Sequence, residues 1–477
     1  MGWRTDKALT VAQLSNNMSD SLVPDTTYWQ AYAYQQIKNI LTGMDNRIPI
    51  SDDFTDIPTA IADSDVTTFG GLLLTGATDL GDTPADIPSD MAFSGVGAIT
   101  EISSDNDKRI FQQKASTSPD RVSFQNMAFD GNSTEASGAI VQHAHAIDMY
   151  QSGQTSTNNI IGPNIWIKDV GGDGVYLRES DKNIVHALNI DVNNQAIGAN
   201  LRGRNGIAVT DGDSLIIANC YIRRAGNAGI DLEPNATEDI SRVVISNCVI
   251  EDSLYGIAIP GGAGASPPIS YVSISNCVIK VGDKSATGFN TTTIGIIIQA
   301  AETVCMSNIW VVGQSDQTKS GTGIFIDNAD RVYLNNVNVT RCDRGLQIFS
   351  DNGTNDYISI IGGEFSENQK HGLSLNGSSG NHIGNLIVKG VQIFNNDNGD
   401  TGFDGIRVDY CDNLIVDGCL AFDDQGSQTQ DRGITVQNSG NVVISNNICY
   451  GNTVSQIQLN SNTTNEYGHN IGAISIT

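Results

Sequence analysis

A glycine followed by an aliphatic residue recurs along the last two thirds of the chain. Each such pair opens a short apolar stretch that ends in Asn, Asp, Ser or Thr, which is typical of strands joined by turns. Consecutive pairs lie between 22 residues (Gly323 to Gly345) and 39 residues (Gly256 to Gly295) apart. The pairs begin at Gly174, Gly206, Gly229, Gly256, Gly295, Gly323, Gly345, Gly372, Gly405 and Gly433.

Between successive glycine pairs lies a second apolar stretch with Asn or Gly at its end, as in Val243-Val-Ile-Ser-Asn, Val272-Ser-Ile-Ser-Asn and Val442-Val-Ile-Ser-Asn. Fixed strands with loops of variable length indicate a solenoid in which each repeat forms one coil. A β-propeller would need four strands in about 40–45 residues and its own motifs, and a leucine-rich repeat would need a Leu frame. The pattern therefore predicts an all-β parallel β-helix.

This regularity resembles the right-handed parallel β-helix family, which includes pectate lyases, polysaccharide lyases and hydrolases, mannuronan C5-epimerases and phage tailspikes. The resemblance covers the chain from about Phe69 to the C-terminus and is most similar to a tailspike or polysaccharide depolymerase. It implies a right-handed, single-stranded β-helix. The architecture carries several reactions, so the resemblance does not by itself choose among them.

The first 65 residues have a different composition. Trp29, Ala33, Ile37, Ile40 and Leu41 are spaced as on one face of a helix, within a segment from Thr26 to Asp45. An isolated amphipathic helix needs a partner surface, which the main domain, a sister subunit or a larger assembly would supply. We predict an N-terminal helical anchor or adaptor segment over residues 1–65 and a β-helix domain over residues 66–477.

The formal net charge of −27 and the pI near 4.3 disfavour binding to nucleic acid and to anionic membrane surfaces. The N-terminus lacks the apolar run of a signal peptide, and no segment predicts a membrane span. Three of the eight cysteines, Cys220, Cys248 and Cys277, follow Asn at the same point of successive repeats. We expect them to form a stack of buried, reduced thiols instead of disulfides.

Strand geometry selects the candidate site. The aliphatic residue after each glycine points inward, so the residues one and three positions beyond it point outward. On three successive coils this places Tyr176 and Arg178, then the smaller Ala208 and Thr210, then Asp231 and Glu233 on the outer face. The small middle coil predicts a depression that could seat a sugar ring.

Asp231 and Glu233 are about 6–7 Å apart at their Cα atoms, and Arg178 is about 9–10 Å from Glu233. Paired carboxylates at this scale suit glycoside hydrolysis. We predict Asp231, Glu233 and Arg178 as catalytic residues. The predicted substrate-binding residues are Tyr176, Arg204, Thr210, Asp211 and Asp173.

Other interpretations remain open at this point. Exposed charged residues on a β-helix are often solubilising, and Asp211 and Asp213 suit an Asx turn. We expect no cofactor, although the oxygen-rich turn leaves Ca²⁺ open. Mannuronan epimerases carry Asp-Pro-His after the strand glycine, whereas this chain has Asp231-Leu-Glu-Pro-Asn, which puts that reaction in doubt.

Three functions follow. The first is a tailspike-like virion protein that binds and cleaves a bacterial surface polysaccharide, assembles as a homotrimer and docks its N-terminal segment onto the virion tail or baseplate. The second is a free extracellular carbohydrate-active enzyme, which would be a lyase, hydrolase or uronate epimerase. The third is a non-catalytic adhesive fibre.

Overall fold

The structure is a computed structural model. It describes residues 71–476 except for 75–76, 81–83, 96–100, 105–107, 114–117, 133–143, 151, 193–202, 236–237, 261–268, 284–292, 317–320, 351–354 and 400. The predicted N-terminal helical segment therefore lies outside the described residues. No helix in the described part is long and apolar enough to cross a bilayer.

The described residues form 42 strands that pair in parallel with the equivalent strands of neighbouring coils. Three parallel sheets result, and each coil contributes one strand to each sheet. Sheet 1 contains Ala85–Ile87, Phe111–Gln113, Ile147–Met149, Val175–Leu177, Ile207–Val209, Ala228–Leu232, Tyr255–Ile259, Arg344–Phe349, Leu373–Asn376, Asp404–Asp409, Arg432–Gln437, Ser455–Asn460 and Ile474–Ile476.

Sheet 2 contains Gly71–Leu74, Ala92–Gly95, Ser123–Gln125, Ile160–Ile161, Ile184–His186, Ile216–Ala218, Ile240–Ser246, Ser270–Ser275, Ile383–Lys389, Cys411–Asp417, Asn441–Ser445 and Thr464–Gly468. Sheet 3 contains Ala77–Asp79, Glu101–Ser103, Met127–Asp130, Ile165–Lys168, Leu188–Asp191, Tyr221–Arg223, Val249–Ser253, Val278–Val281, Gln392–Phe394, Leu420–Phe422 and Ile448–Tyr450.

Three long strands run through the corners between sheets, and three two-residue strands lie between sheets 1 and 2. The long strands are Ile294–Val312, Thr322–Thr340 and Asn355–Ser366. The short strands are Ser156–Thr157, Ser180–Asp181 and Gly212–Asp213. The prediction of an all-β parallel solenoid is confirmed.

The core consists of inward-facing aliphatic residues in register from coil to coil. Ile207 pairs with Ile230, Ile230 with Ile257, and Ile257 with Ile296, and all four side chains are buried. Equivalent residues on adjacent strands lie about 4.8 Å apart, so like side chains stack without gaps. At the N-terminal coils the filling changes to stacked aromatic rings, with Phe93 and Phe124 4.8 Å apart at their centroids.

A left-handed residue forms the corner between sheets 2 and 3 on successive coils. Asn219, Asn247, Asn276, Asn308 and Asn336 all have φ between 53° and 57°. Asparagine tolerates this region better than most residues with a Cβ, which explains its recurrence before the third strand. Its amides also link coils, since Asn308 Nδ2 donates to Asn276 Oδ1 at 3.1 Å and Asn336 Nδ2 to Asn308 Oδ1 at 3.0 Å.

The cysteines at this corner are free thiols, as predicted. Cys220, Cys248 and Cys277 are buried, and each Sγ donates to the carbonyl oxygen two residues earlier at 3.3 Å. Each follows the left-handed asparagine of its coil. The recurring Asn-Cys pair is therefore part of the scaffold.

The glycines that begin the strands of sheet 1 are required by close backbone approach. A Cβ on Gly323 would lie 2.7 Å from the carbonyl oxygen of Gly345 on the next coil and would overlap Val339 of the core. By contrast, a Cβ on Gly426 would meet no heavy atom within 4 Å.

We predict that Gly323→Ala lowers the free energy of unfolding by about 1–3 kcal/mol, because a methyl group is forced into a filled site. Gly426→Ala is the matched control and should change it by less than about 0.5 kcal/mol. Guanidinium unfolding followed by circular dichroism measures both. Equal stability of the two variants would contradict this account of the glycine positions.

Candidate functional site

The candidate site lies on the outer face of sheet 1. Asp148, Tyr176, Ala208, Asp231 and Ala258 occupy the same outward position on five successive coils, because each pairs in register with the next. The strand period of two thus gathers side chains that are up to 110 residues apart in sequence onto one line. The structure brings together most of the predicted residues around the middle of this line.

Asp231 faces outward, as predicted, but it is buried. Only 2% of its surface is exposed, because side chains of the neighbouring coils surround it. Asn227 Nδ2 donates to Asp231 Oδ2 at 3.2 Å. Burial, reinforced by the nearby charge of Glu233, raises the pKa of Asp231 to about 8. The raised pKa favours the protonated form of Asp231, which is the form that can donate a proton.

Arg204 lies among the carboxylates of the site. Its guanidinium pairs with Glu233, with Nη2 2.6 Å from Oε2. Burial alone would lower the pKa of Arg204, but the charges of Asp173, Asp231 and Glu233 raise it above its ordinary value. Glu233 is itself nearly half exposed, so one carboxylate of the pair reaches solvent and the other does not.

Asp173 is fully buried beneath this cluster. Its Oδ1 accepts a hydrogen bond from the Asn205 amide at 2.9 Å, and its own amide donates to His145 Nδ1 at 3.1 Å. Burial raises the pKa of Asp173 to about 7, against the opposing charge of Arg204. Asn205 Oδ1 in turn accepts from Asn227 Nδ2 at 3.0 Å, so hydrogen bonds link Asp173 to Asp231.

The contact between His145 and Asp173 has a counterpart eight coils away. The amide of Asp404 donates to His371 Nδ1 at 2.9 Å, and both side chains are buried. Burial lowers the pKa of His371 to about 3 and raises the pKa of Asp404 to about 6. Because this arrangement occurs twice, we assign it to the scaffold; Arg204, Asp231 and Glu233 distinguish the candidate site.

Arg178 lies at the edge of the site. Its Nε is 2.6 Å from Glu238 Oε1, and its guanidinium lies 4.2 Å from the centre of the Tyr150 ring. The arginine that pairs with Glu233 is Arg204. The spacing of coils alone overlooked Glu238, which follows the strand instead of lying within it.

Tyr176 and Thr210 close the space above Ala208. The Tyr176 hydroxyl is 3.2 Å from Thr210 Oγ1, and its ring stacks on His145 at 4.7 Å. Ala208 and Thr210 are 2% and 6% exposed. The small residues of this coil are therefore enclosed by larger neighbours.

The open space lies one coil further on. A pocket of about 140 Å³ is bounded by Asp231 and Glu233 on one side and by Tyr255, Ala258 and Ile297 on the other, with Asn227, Pro260 and Gln299 completing it. It is small compared with the 300–1,000 Å³ of typical ligand sites, so it fits part of a sugar residue. The carboxyl group of Asp231 lies at the edge of this pocket.

Asp211 lies away from the pocket. Burial raises the pKa of Asp211 to about 6, and the carboxylates of Glu238, Glu179 and Asp181 contribute in the same direction. The amide of Asp239 is 3.4 Å from its Oδ1. No group of three or more His, Cys, Asp or Glu residues in the described part of the chain is arranged to hold a metal ion.

Several residues of the site were not predicted. Asp148 shares the outward position of Tyr176, and burial raises its pKa to about 6 while Arg109 opposes the shift. Its strand follows Ala146 instead of Gly, so the glycine pattern did not mark it. Asn227 lies just before its strand, where the rule for outward positions was not applied. Tyr255, the first residue of its strand, is one of the aromatic residues that the sequence offered as a stacking surface for sugars.

Residues 116–283 match the family model described as a right handed beta helix region. The described residues have the fold of that family, a parallel β-helix. The fold that the sequence resemblance implied is thereby confirmed. No curated protein matches the chain.

Solved structures with this architecture include enzymes and a phage protein. The mannuronan C-5 epimerase AlgE6 A-module of Azotobacter vinelandii is 12% identical, with 89% of this chain and 99% of that one covered and a TM-score of 0.41. The catalytic unit of a GH87 α-1,3-glucanase from Streptomyces thermodiastaticus is 13% identical, with 91% and 70% covered and a TM-score of 0.46.

Tailspike protein 3 of bacteriophage CBA120 is 12% identical and has a TM-score of 0.50. The alignment covers 89% of this chain and 61% of the tailspike, so this chain spans less than two thirds of that protein. At these identities the similarities show the shared fold and no more.

We predict that Asp231→Asn makes stability less sensitive to alkaline pH. The unfolded carboxyl loses its proton near pH 4 and the folded one near pH 8, so folding takes up a proton between these values and stability falls as pH rises through them. Asparagine removes this titration. The difference in unfolding free energy between variant and native protein should grow by up to about 1.4 kcal/mol per pH unit.

Guanidinium unfolding at pH 5, 7 and 9 measures this difference. Asp417→Asn is the control: hydrogen bonds from Asn446 and Ser445 hold the pKa of Asp417 below its usual value, so this carboxyl is ionised at all three pH values and the difference should not change between them. A constant difference for Asp231→Asn across the three pH values would show that the native carboxyl is already ionised at pH 5.

Proposed function

We propose that this protein binds a bacterial surface polysaccharide on the outer face of sheet 1 and hydrolyses it with Asp231 and Glu233. One observation carries the proposal: Asp231, which is buried, and Glu233, which is nearly half exposed and paired with Arg204, border the same pocket. Two carboxyl groups in different environments, one acid and one base, are what glycoside hydrolysis requires.

In the proposed reaction, Asp231 donates its proton to the glycosidic oxygen as the bond to the anomeric carbon breaks. Glu233 either removes a proton from the water that attacks this carbon or forms a covalent glycosyl intermediate that water then hydrolyses. A carboxyl separation of about 5–5.5 Å gives retention of configuration and about 6.5–9.5 Å gives inversion. Proton NMR of the first products distinguishes these two routes.

The remaining predicted residues take supporting roles in this proposal. Arg204 orients Glu233, and buried Asp173 positions Asn205, which bonds to the Asn227 that contacts Asp231. Tyr176, Thr210, Arg178 and Asp211 lie on the side of Asp231 opposite the pocket, where they would contact neighbouring sugar residues of a bound chain.

The pairing of the arginines favours hydrolysis over elimination or epimerisation. Both of those reactions act on uronates and need a group that neutralises the substrate carboxylate. Arg204 is paired with Glu233 and Arg178 with Glu238, so a uronate would have to displace a protein carboxylate at either one. A neutral sugar makes no such demand.

We also propose a tailspike-like setting, with three chains side by side and the N-terminal segment docked onto a virion tail. The supporting feature is an aliphatic stripe along sheet 2, defined by the exposed residues Ile160, Ile216 and Val244, with half-buried Ile184 in register between the first two. Contiguous exposed apolar residues often mark an interaction surface. A free extracellular enzyme and an adhesive fibre are the alternatives.

We predict that Asp231→Asn and Glu233→Gln each lower turnover of the polysaccharide by about 10²–10⁴-fold while binding is retained, because each removes one proton-transfer group. Turnover by the native protein should fall above about pH 8, where Asp231 loses its proton. Purified bacterial surface polysaccharides are incubated with the protein, and the products are weighed by mass spectrometry.

Glu466→Gln, an exposed carboxylate at the last coils, is the control and should remain fully active. Products that gain one water per cleavage support hydrolysis. An unsaturated product end would indicate a lyase, and unchanged mass with a changed sugar configuration an epimerase. If the native protein binds polysaccharide without any turnover, the result would support the non-catalytic adhesive fibre.

We predict that the native protein is a trimer in sedimentation equilibrium and that the trimer dissociates when a charged residue replaces an aliphatic residue of the stripe. Ile216→Asp and Val244→Asp each place a carboxylate on the stripe and should shift the protein towards monomer. Val454→Asp alters a more exposed aliphatic residue away from the stripe and should leave the trimer intact. A monomeric native protein would refute the proposed assembly without affecting the proposed hydrolysis.

A further inference from the structure

A second and larger concavity lies on sheet 3, away from the strand positions that carry Asp231 and Glu233. Its volume is about 480 Å³, compared with about 140 Å³ for the pocket at Asp231. Trp166 and Lys168 of the strand Ile165–Lys168 line it, together with Asn189 and Asp191 of the next coil. We name it the Trp166 groove.

The centre of the groove is an exposed indole. Trp166 is 58% exposed, although a tryptophan side chain ordinarily buries most of its surface. It pairs in register with Ala128 on the preceding coil and with Asn189 on the following one. A large flat side chain beside a small one forms a step, so a face of the ring is open on the side of Ala128.

The rim of the groove carries charges that cancel. Lys168 Nζ is 3.2 Å from Glu101 Oε2, and Arg223 Nη2 is 2.6 Å from Asp191 Oδ2. The lining therefore holds two basic and two acidic side chains in a chain whose net charge is −27. These pairs, with the amide of Asn189, present donors and acceptors close together around an apolar floor.

This combination suits a neutral, hydroxyl-rich ligand. The C–H face of a sugar ring packs on an indole, and each hydroxyl both donates and accepts hydrogen bonds, as the rim does. A polyanion would gain nothing from cations that are already paired, and it would face the acidic surface of the protein. A few placed polar groups around an apolar surface are the usual composition of such sites.

We infer that the Trp166 groove is a non-catalytic anchoring site for a neutral polysaccharide. The inference rests on the proposed function, because it assigns the groove to the polymer that the Asp231 pocket cleaves. A polymer offers many identical units, so one molecule of it can occupy both sites. The second contact is then intramolecular, and it raises the overall affinity without any new chemistry.

The chain offers a matched control for Trp166. Trp310 occupies the same outward position of sheet 3, five coils further on, and is 53% exposed. It does not line the Trp166 groove. Trp166→Ala and Trp310→Ala therefore remove the same side chain from equivalent backbone positions, and only the first should empty a binding site.

The test measures binding to dextran, laminarin, alginate and a panel of purified bacterial surface polysaccharides by affinity electrophoresis. The full-length chain is used with Asp231→Asn present, so that the polymer is not degraded. We expect a neutral polymer to bind, Trp166→Ala to weaken this binding about tenfold or more, and Trp310→Ala to leave it unchanged. With Asp231 intact, Trp166→Ala should not alter kcat on short fragments of the same polymer.

Equal binding by the two tryptophan variants overturns the inference, as does a native protein that binds alginate alone or no polymer at all. A Trp166→Ala variant that sediments as a smaller species, while Trp310→Ala does not, would assign the groove to contacts between copies and also overturn it. The two proposals fail separately. Loss of binding in Trp166→Ala with no turnover by the native protein refutes hydrolysis alone, whereas turnover with unchanged binding in Trp166→Ala refutes the groove alone.

Discussion

Every coil of this protein must repeat the backbone path of the coil before it, because the parallel hydrogen bonds between coils tolerate little change of register. The tight corner before sheet 3 shows how strict this demand is. A left-handed residue with a side chain costs up to about 1–2 kcal/mol, yet Asn219, Asn247 and Asn276 adopt this conformation on successive coils. Their hydrogen-bonded neighbours above and below hold them there, and the amides of the later asparagines also bond to one another.

The same constraint produces the chemistry of the candidate site. Outward residues at equivalent positions of successive coils lie about 4.8 Å apart. Asp231 therefore has a close neighbour on each side, Ala208 on one coil and Ala258 on the next. Ala208 and Ala258 leave room for Asp231 to sink between the flanking coils, and its burial raises its pKa. Glu233, just after the end of this strand, remains partly in solvent beside Arg204. Two carboxyl groups only two residues apart thus lie in different environments.

The repeat was readable from the sequence because it depends on local features: glycine where coils approach closely, asparagine at the left-handed corner and aliphatic residues at period two. The identity of the outward residues was readable for the same reason. Their partners were not. Arg178 pairs with Glu238, which lies in a turn beyond the strand, and Arg204 reaches Glu233 from the turn before its own strand. Turn lengths vary between coils, so the distance between strands does not give the positions of these side chains. The burial of Asp231 depends on the combined size of all its neighbouring side chains, which the strand pattern alone does not give.

The pairing of charges connects the pocket and the groove. Arg204 pairs with Glu233 at the pocket, and Lys168 and Arg223 pair with Glu101 and Asp191 at the groove. Displacing a carboxylate leaves its basic partner without a counter-charge, at a cost that is larger for the partly buried Arg204 than for the more exposed Lys168 and Arg223. An anionic sugar would require this exchange at either place, on a protein that already repels it. A neutral sugar can keep the ion pairs and use their remaining hydrogen-bonding capacity, so the electrostatics of both sites favour the same class of polymer.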